Sequence, residues 1–354
     1  MTLHIFNPEH DIALASNLSN FTAPHAGRLL RNDLGFLPGL WASKDDCILV
    51  EHEESAQKAY RRVCHRLVKL GMTDSLPALN TQFVSTKRIV YRQETQYIQP
   101  WGWDRAIRRE LERIGFALPL LYTEEQLAQI RQLSHRRTSA QFLPSLQMEG
   151  TIGEAFECAT LDEVRALLGH YGRVVLKAPW SSSGRGVRFL RSADEIGNFA
   201  NWIVNIIKTQ GSIMVEPYYN KVKDFGMEFT VDKDGHIHYC GLSLFHTVNG
   251  AYEGNILATE NVKRKMIERY VSMDLFDMVK QNIMLRLHLG GYVGPFGIDM
   301  MVTKEGLHPC VEINLRRTMG HVALAISPKD DDIQGVMRVI YDGNHYKLKI
   351  NKLQ

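Results

Sequence analysis

Residues 174–187 read VVLKAPWSSSGRGV, a strand that delivers Lys177 into a Ser/Gly turn and then a second strand. Glycines at 184 and 186 let backbone N–H groups approach a polyphosphate, because no Cβ stands in the way. Lys177 adds a point charge for phosphate oxygens. The pattern is not G-x-x-x-x-G-K-[ST], which the chain lacks, and no helix follows the glycines directly. On its own the segment reads equally well as a Ser/Gly hairpin turn with a surface lysine.

Two later segments weigh against that bland reading. VEPYYNKVKDFGMEFTV (215–231) ends one strand in Glu216 and sets Glu228 in the next. Backbone groups at 217–219 can meet the edge of a base, and the acids can hold its amine and ribose hydroxyls. GIDMMVTKEGLHPCVEINLRRTMG (297–320) sets Asp299 in one strand and alternates Glu312 with Asn314 in the next, so these last two share a face. Hard oxygen ligands of this kind suit Mg²⁺ together with substrate phosphates. Ile298, Met300, Val311 and Ile313 make the strands buried, where an acid is costly unless it is paired or binds metal. The structural alternatives are two surface acids in the first segment and a core salt bridge to Arg316 or Arg317 in the second.

Working outward, Thr123-x-x-Gln126, Thr160-x-x-Glu163 and Ser192-x-x-Glu195 each fit the capping box and predict three helix starts. Asp234-Gly235 between MEFTVD and HIHYCGLS predicts an antiparallel hairpin. A long helical stretch is expected from about 260 to Gly290-Gly291, and the final residues read as a finishing strand or helix with a polar tail. Toward the N-terminus, strands at 2–6, 46–52 and before PWGWD (100–104) alternate with helices, which predicts a parallel α/β lobe over roughly 1–120. The ends of such strands bind ligands, so Asn7, His10 and Asp11 are substrate-side candidates, with a capped turn as the alternative. Trp101 and Trp103 either wall a pocket there or pack between lobes.

Lys plus Arg number 42 against 39 Asp plus Glu, a net charge of +3 that gives no case for a nucleic-acid or membrane surface. Five scattered cysteines without a C-x-x-C pair read as reduced core residues rather than a disulfide frame or zinc site. Charge appears within the first ten residues, and no apolar run approaches the ~20 residues of a bilayer span. The expectation is a cytoplasmic protein.

The three segments follow one another in fixed order, and from about Ser134 to Gly320 the chain resembles the ATP-grasp superfamily, which includes D-alanine–D-alanine ligase, biotin carboxylase and glutathione synthetase. The resemblance rests on the run from Thr160 through Glu216, the words MEFTV and VEIN, and the thirteen-position step from Asp299 to Glu312. It implies an α/β fold: an N-terminal parallel lobe over 1–120, then an ATP-grasp domain over 121–330 made of a lid subdomain (134–217) and a metal-binding subdomain (218–330), with a tail at 331–354. It further implies that Lys177 contacts the inner phosphates of ATP and that the loop Ser181, Ser182, Ser183, Gly184, Arg185 and Gly186 closes over them. Glu216 with the backbone of Tyr218 and Tyr219 would hold adenine, and Glu228 ribose, with Asp224 as rival. Asp299, Glu312 and Asn314 would ligate Mg²⁺, with Mn²⁺ as the alternative ion. Where the family has an earlier phosphate-binding lysine this chain has Arg136 or Arg137, and where D-alanine–D-alanine ligase has an arginine before its metal-binding Asp this chain has Gly297. Arg316 and Arg317 are therefore the candidate catalytic arginines.

The implied function is an ATP- and Mg²⁺-dependent ligase that activates a small-molecule or peptide carboxylate as an acyl phosphate for an amine or thiol, releasing ADP and phosphate. A phosphotransferase and a nucleotide-binding protein without turnover are the alternatives. No nucleic-acid or membrane partner is expected, and monomer and homodimer both remain open.

Overall fold

The computed structural model describes residues 1–73, 82–89, 95–181, 186–248 and 251–353. Strands β1 (Thr2–Ile5), β2 (Cys47–Leu49), β3 (Gln82–Val84) and β4 (Tyr97–Pro100) form an all-parallel sheet in the order β3-β2-β1-β4. The expected parallel lobe is therefore present. The inner strand Cys47–Leu49 is a short apolar run buried throughout, as a strand covered on both faces requires, while the edge strand Tyr97–Pro100 is partly exposed. The helix Arg105–Ile114 starts where Asp104 accepts the Ile107 N–H at 2.9 Å.

A second sheet has the order β5-β8-β6-β7, from β5 (Phe156–Cys158), β6 (Val174–Lys177), β7 (Val187–Leu190) and β8 (Ile213–Pro217). Helices Leu161–Tyr171 and Ile196–Gln210 cover it and close a separate core around Val164, Leu176, Ile203 and Val215. The capping boxes at Thr123 and Thr160 form as read. The one at Ser192 does not: its hydroxyl caps nothing, Glu195 accepts from the Arg191 N–H at 2.9 Å instead, and a short 3-10 turn precedes the helix.

Eight further strands complete the chain: β9 (Lys221–Val231), β10 (Ile237–Ser243), β11 (Phe245–Val248), β12 (Ala251–Leu257), β13 (Gly294–Thr303), β14 (Leu307–Asn314), β15 (Gly335–Tyr341) and β16 (Tyr346–Lys352). They make two antiparallel sheets, β10-β9-β13-β14 and β11-β12-β15-β16. The expected hairpin at Asp234-Gly235 joins β9 to β10. The long helical stretch divides into Glu260–Ile267 and Met273–Arg286, because Ser272 caps a fresh start by accepting the Leu275 N–H. The C-terminal residues are two paired strands packed on the N-terminal lobe, where Arg66 Nε donates to the Ile350 carbonyl at 2.8 Å and Met337 and Ile350 join the core around Phe6 and Ile48. Among the described residues no helix is long and apolar enough to cross a membrane.

Candidate active site

The site is built on the sheet β10-β9-β13-β14, whose pleat sorts its residues by face. Phe225, Met227, Phe229, Ile298, Met300 and Ile313 are buried, and Phe225 stacks on Phe276 of the helix Met273–Arg286. The alternate positions carry the polar groups. Asp299 lies directly opposite Glu312 across β13–β14, and Gly297 lies between Glu228 and Asn314 on its two neighbours. Period two along three adjacent strands thus collects three carboxylates and a carboxamide on one face.

Asn314 Nδ2 donates to Asp299 Oδ2 at 3.1 Å. Burial, with Glu312 and Glu228 adding like charge, pushes the Asp299 carboxyl up to about 7. A group raised in this way favours the fold most while protonated: its contribution is complete below the ordinary carboxylate range and is lost as pH climbs through about 7. Without metal, thermal stability is therefore expected to fall between roughly pH 4 and 7. Asp299→Asn should remove part of that fall and melt above wild type at pH 8, as circular dichroism would read; an unchanged pH profile contradicts the like-charge cluster.

Glu312 already holds a cation. Arg136 Nη2 lies 2.8 and 2.9 Å from its two carboxylate oxygens, and Arg136 Nη1 donates to Ser181 Oγ at 2.8 Å and to the Ala178 carbonyl. Of the two arginines in SHRRT, it is thus Arg136 that faces the site, whereas Arg137 pairs with Glu157 at 3.4 Å. The alternative in which Arg316 or Arg317 closes a core salt bridge to these acids is not formed. Glu312 pairs with Arg136, and Arg316 pairs with Asp11.

At the other sheet, Lys177 Nζ donates to Glu216 Oε2 at 2.6 Å, and both residues are buried. Antiparallel pairing of β6 with β8 explains the meeting, since Val175 opposes Glu216. The Tyr218 N–H is spent on the Arg173 carbonyl at 3.0 Å, and Arg173 covers the Tyr218 ring at 5.0 Å. The Tyr219 ring meets His308 edge-on at 5.7 Å. Ser181 begins the loop and Gly186 ends it, its carbonyl accepting from the Ala178 N–H at 2.8 Å. Ser182, Ser183, Gly184 and Arg185 lie outside the described residues.

Glu216 and Glu228 stand on different sheets, Glu216 at the end of β8 and Glu228 within β9. Lys177 and Glu216 act electrostatically on His308 and Cys310, at one end of the Asp299–Glu312 row. Glu228 stands at the other end, opposite Gly297, with Oε2 2.9 Å from His321 Nδ1. Asp224 is in register with Met301, which in turn pairs with His308, so the rival acid is on the Lys177 side. It takes an ion pair from Lys221 Nζ at 2.5 Å.

The adjacent arginines have opposite surroundings. Arg316 grips Asp11 through Nε at 2.9 Å and Nη2 at 2.7 Å, and Nη2 also reaches Asn314 Oδ1 at 3.0 Å. Burial works against its charge, yet Asp11 more than offsets this and holds the guanidinium above its ordinary range. Arg317 instead lies over the Trp41 ring, Cζ 4.5 Å from its centre. Asp11, from the first turn of the helix His10–Ser16 that follows β1, thereby reaches the metal-strand exit and lines a small cleft with Trp180, Ser181, Glu312 and Asn314. Its neighbours are bonded within the lobe: His10 Nδ1 meets Asp104 Oδ2 at 3.0 Å, and Asn7 Nδ2 donates to the Gly102 carbonyl at 2.8 Å. Trp101 and Trp103 are buried in packing, Trp101 edge-on to Phe6 and Trp103 stacked on Tyr122.

One residue escaped sequence reasoning. His308 is 1% exposed, and neither ring nitrogen has a partner among the described residues. Burial pulls its ring down to about 4, so it is neutral near pH 7. The signal was a lone polar ring in the buried strand HPCVEI, which no motif marks.

No protein-family model and no curated protein sequence matches the chain. Solved structures do. The chain is similar to N5-carboxyaminoimidazole synthetase from Staphylococcus aureus complexed with ADP, at 13% identity over 97% of this chain and 83% of that one, with a TM-score of 0.53. It is similar to the biotin carboxylase domain dimer of Hydrogenobacter thermophilus 2-oxoglutarate carboxylase in complex with MgADP, ADP and bicarbonate, at 16% identity, 96% and 74% coverage and a TM-score of 0.52. Biotin carboxylase from Campylobacter jejuni, in a β-γ-ATP complex, gives 12% identity, 96% and 75% coverage and a TM-score of 0.53. At these identities the likeness is one of fold, and the fold of this chain is ATP-grasp.

Proposed function

We propose that the protein is an ATP- and Mg²⁺-dependent ligase that phosphorylates a carboxylate and passes the acyl group to an amine or thiol, releasing ADP and phosphate. The observation that carries this reading is the row of Asp299, Glu312 and Asn314 on one sheet face, with the Lys177–Glu216 pair at one end and Arg316 and Arg317 at the other. Oxygen donors alone, two of them acids crowded enough to raise Asp299, fit Mg²⁺ rather than a softer ion. The ion, when bound, neutralises charge on the transferring phosphoryl group.

Each residue then has a role. Lys177 holds inner phosphate oxygens, and Glu216 with the neighbouring Tyr218 and Tyr219 backbone holds the base. Ribose falls to Asp224, the rival of Glu228, a choice that its register with Met301 on the Lys177 side supports. Arg136 replaces the family's earlier lysine and exchanges Glu312 for phosphate when nucleotide enters, which its fork of donors permits. Arg316 orients the acid beside the γ-phosphoryl once Asp11 yields, and Glu228 with His321 lies on the side from which the nucleophile comes. For these roles the chain divides into an N-terminal lobe at 1–120, the ATP-grasp domain at 121–330 and a tail at 331–354.

The test is nucleotide binding followed by trapping. ATP with Mg²⁺ should raise the melting temperature far more than ATP with a chelator, since a ligand at one hundred times its dissociation constant adds about 2.7 kcal/mol. Hydroxylamine should then convert the activated acid to a hydroxamate in a screen over amino acids and short peptides. ADP without hydroxamate would make the protein a phosphotransferase. No shift at millimolar ATP and Mg²⁺ would remove the nucleotide assignment.

A further inference from the structure

Arg316 and Arg317 leave the same strand, yet only one has its donors engaged. Arg316 is bonded to Asp11, Asn314 and the Arg317 carbonyl. The Arg317 guanidinium has no carboxylate or carbonyl partner among the described residues; its contact is the Trp41 face. The guanidinium is half-buried; Glu228 acts on it electrostatically without bonding to it, and stacking on Trp41 covers only one of its faces. Burial draws it down to about 10, so it remains charged at neutral pH.

Its position is fixed by the main chain. The Arg317 N–H donates to the Trp101 carbonyl at 2.9 Å, which pins it beyond the end of β4, where parallel sheets take their ligands. Trp41 and Trp101 approach at 6.4 Å, and the Trp41 Nε1–H is buried without an acceptor among the described residues. Both unspent groups, guanidinium and indole N–H, are donors only. Stacking on the indole covers the guanidinium face and leaves its edge free for two parallel bonds to a carboxylate or phosphate.

We propose that Arg317, with Trp41, is the anchor for a second anionic group of the acid substrate, so that the acid carries a carboxylate or phosphate besides the carboxylate that is activated. This rests on the ligase reading above. Arg316 handles the reacting end and Arg317 the distant one.

The experiment uses the full chain with its nucleotide site filled by a non-hydrolysable ATP analogue and Mg²⁺. Inorganic phosphate, succinate and acetate are titrated by calorimetry, with and without the analogue. Phosphate or succinate should bind at least tenfold more tightly than acetate. Arg317→Met should weaken the better anion tenfold or more, Arg317→Lys less, and Trp41→Phe, which keeps a ring but loses the N–H, a few-fold. Preference for phosphate assigns a phosphorylated acid, and preference for succinate a dicarboxylic acid. If Arg317→Met does not fold, as melting curves would reveal, the other two variants carry the test. Equal binding by wild type and variants overturns the proposal, and so does wild type that binds neither anion or prefers acetate. Failure of the analogue to bind wild type sinks the ligase reading instead, and the titration without it then decides the anion site separately.

Discussion

Glu312→Gln is expected to abolish ATP turnover while the protein stays folded. The substitution preserves volume and one acceptor oxygen, so Arg136 Nη2 keeps a partner where it now sits 2.8 and 2.9 Å from the two carboxylate oxygens. What disappears is the charge directly opposite Asp299. In the ligase reading that charge holds the ion which neutralises the developing phosphoryl, an effect of several kcal/mol; at 1.36 kcal/mol per tenfold, about 4 kcal/mol is roughly a thousandfold in rate. Loss of the Glu312 charge should also relax Asp299 toward the ordinary carboxylate range, because Glu312 is the largest like-charge contributor to its shift. ADP release, Mg²⁺ titration and a melting curve together decide the matter. A variant that melts early but keeps its activity per folded molecule would make Glu312 a structural partner of Arg136 and nothing more.

Gly320→Ala is expected to lower stability by about 3 kcal/mol, although it replaces glycine by alanine inside a helix. Helix propensity alone would favour alanine by up to about 1 kcal/mol. The site decides otherwise. Gly320 lies in the helix Met319–Ile326, and a Cβ there would overlap Glu228 Oε1 and stand 2.5 Å from Ser243 Oγ. Glu228 has little room to retreat, since its Oε2 is bounded by His321 Nδ1 at 2.9 Å and by the Gly297 backbone. Overpacking typically costs 1–3 kcal/mol, and the buried carboxylate has no open space into which it can move. Gly169→Ala, in the helix Leu161–Tyr171 with nothing within 4 Å of the new carbon, is the control and should be neutral or stabilising. Urea midpoints for the two variants should move in opposite directions. Two equal midpoints would mean that the Glu228 cradle is looser than its geometry.

What could be read from the chain is what depends on short-range periodicity. Alternation in IDMMV and VEINL collects Asp299, Glu312 and Asn314 on a shared face once the strands pair, and apolar neighbours bury the opposite face. Threonine followed three residues later by Gln or Glu capped helices at 123 and 160, because both bonds lie within one turn. The same pattern failed at Ser192, where a 3-10 turn took the place of the first helical turn, and Ser272 divided a helix that apolar content alone read as continuous.

Tertiary structure decided every choice between neighbours in sequence. Arg136 and Arg137 are equivalent as letters, but the helix Arg137–Phe142 turns the first toward Glu312 and the second toward Glu157. Arg316 and Arg317 differ because Asp11, some three hundred residues away, reaches only one of them and Trp41 lies beneath the other. Asp224 and Glu228 share a strand face, and only the register against β13 and β14 tells which end of the acid row each occupies. His308 carries no motif at all; its isolation follows from packing against Gly153 and Tyr219, which come from distant parts of the chain. Periodicity and capping act within one strand or one turn, whereas ion pairing and desolvation depend on which elements meet, and that is set only when the sheets pack.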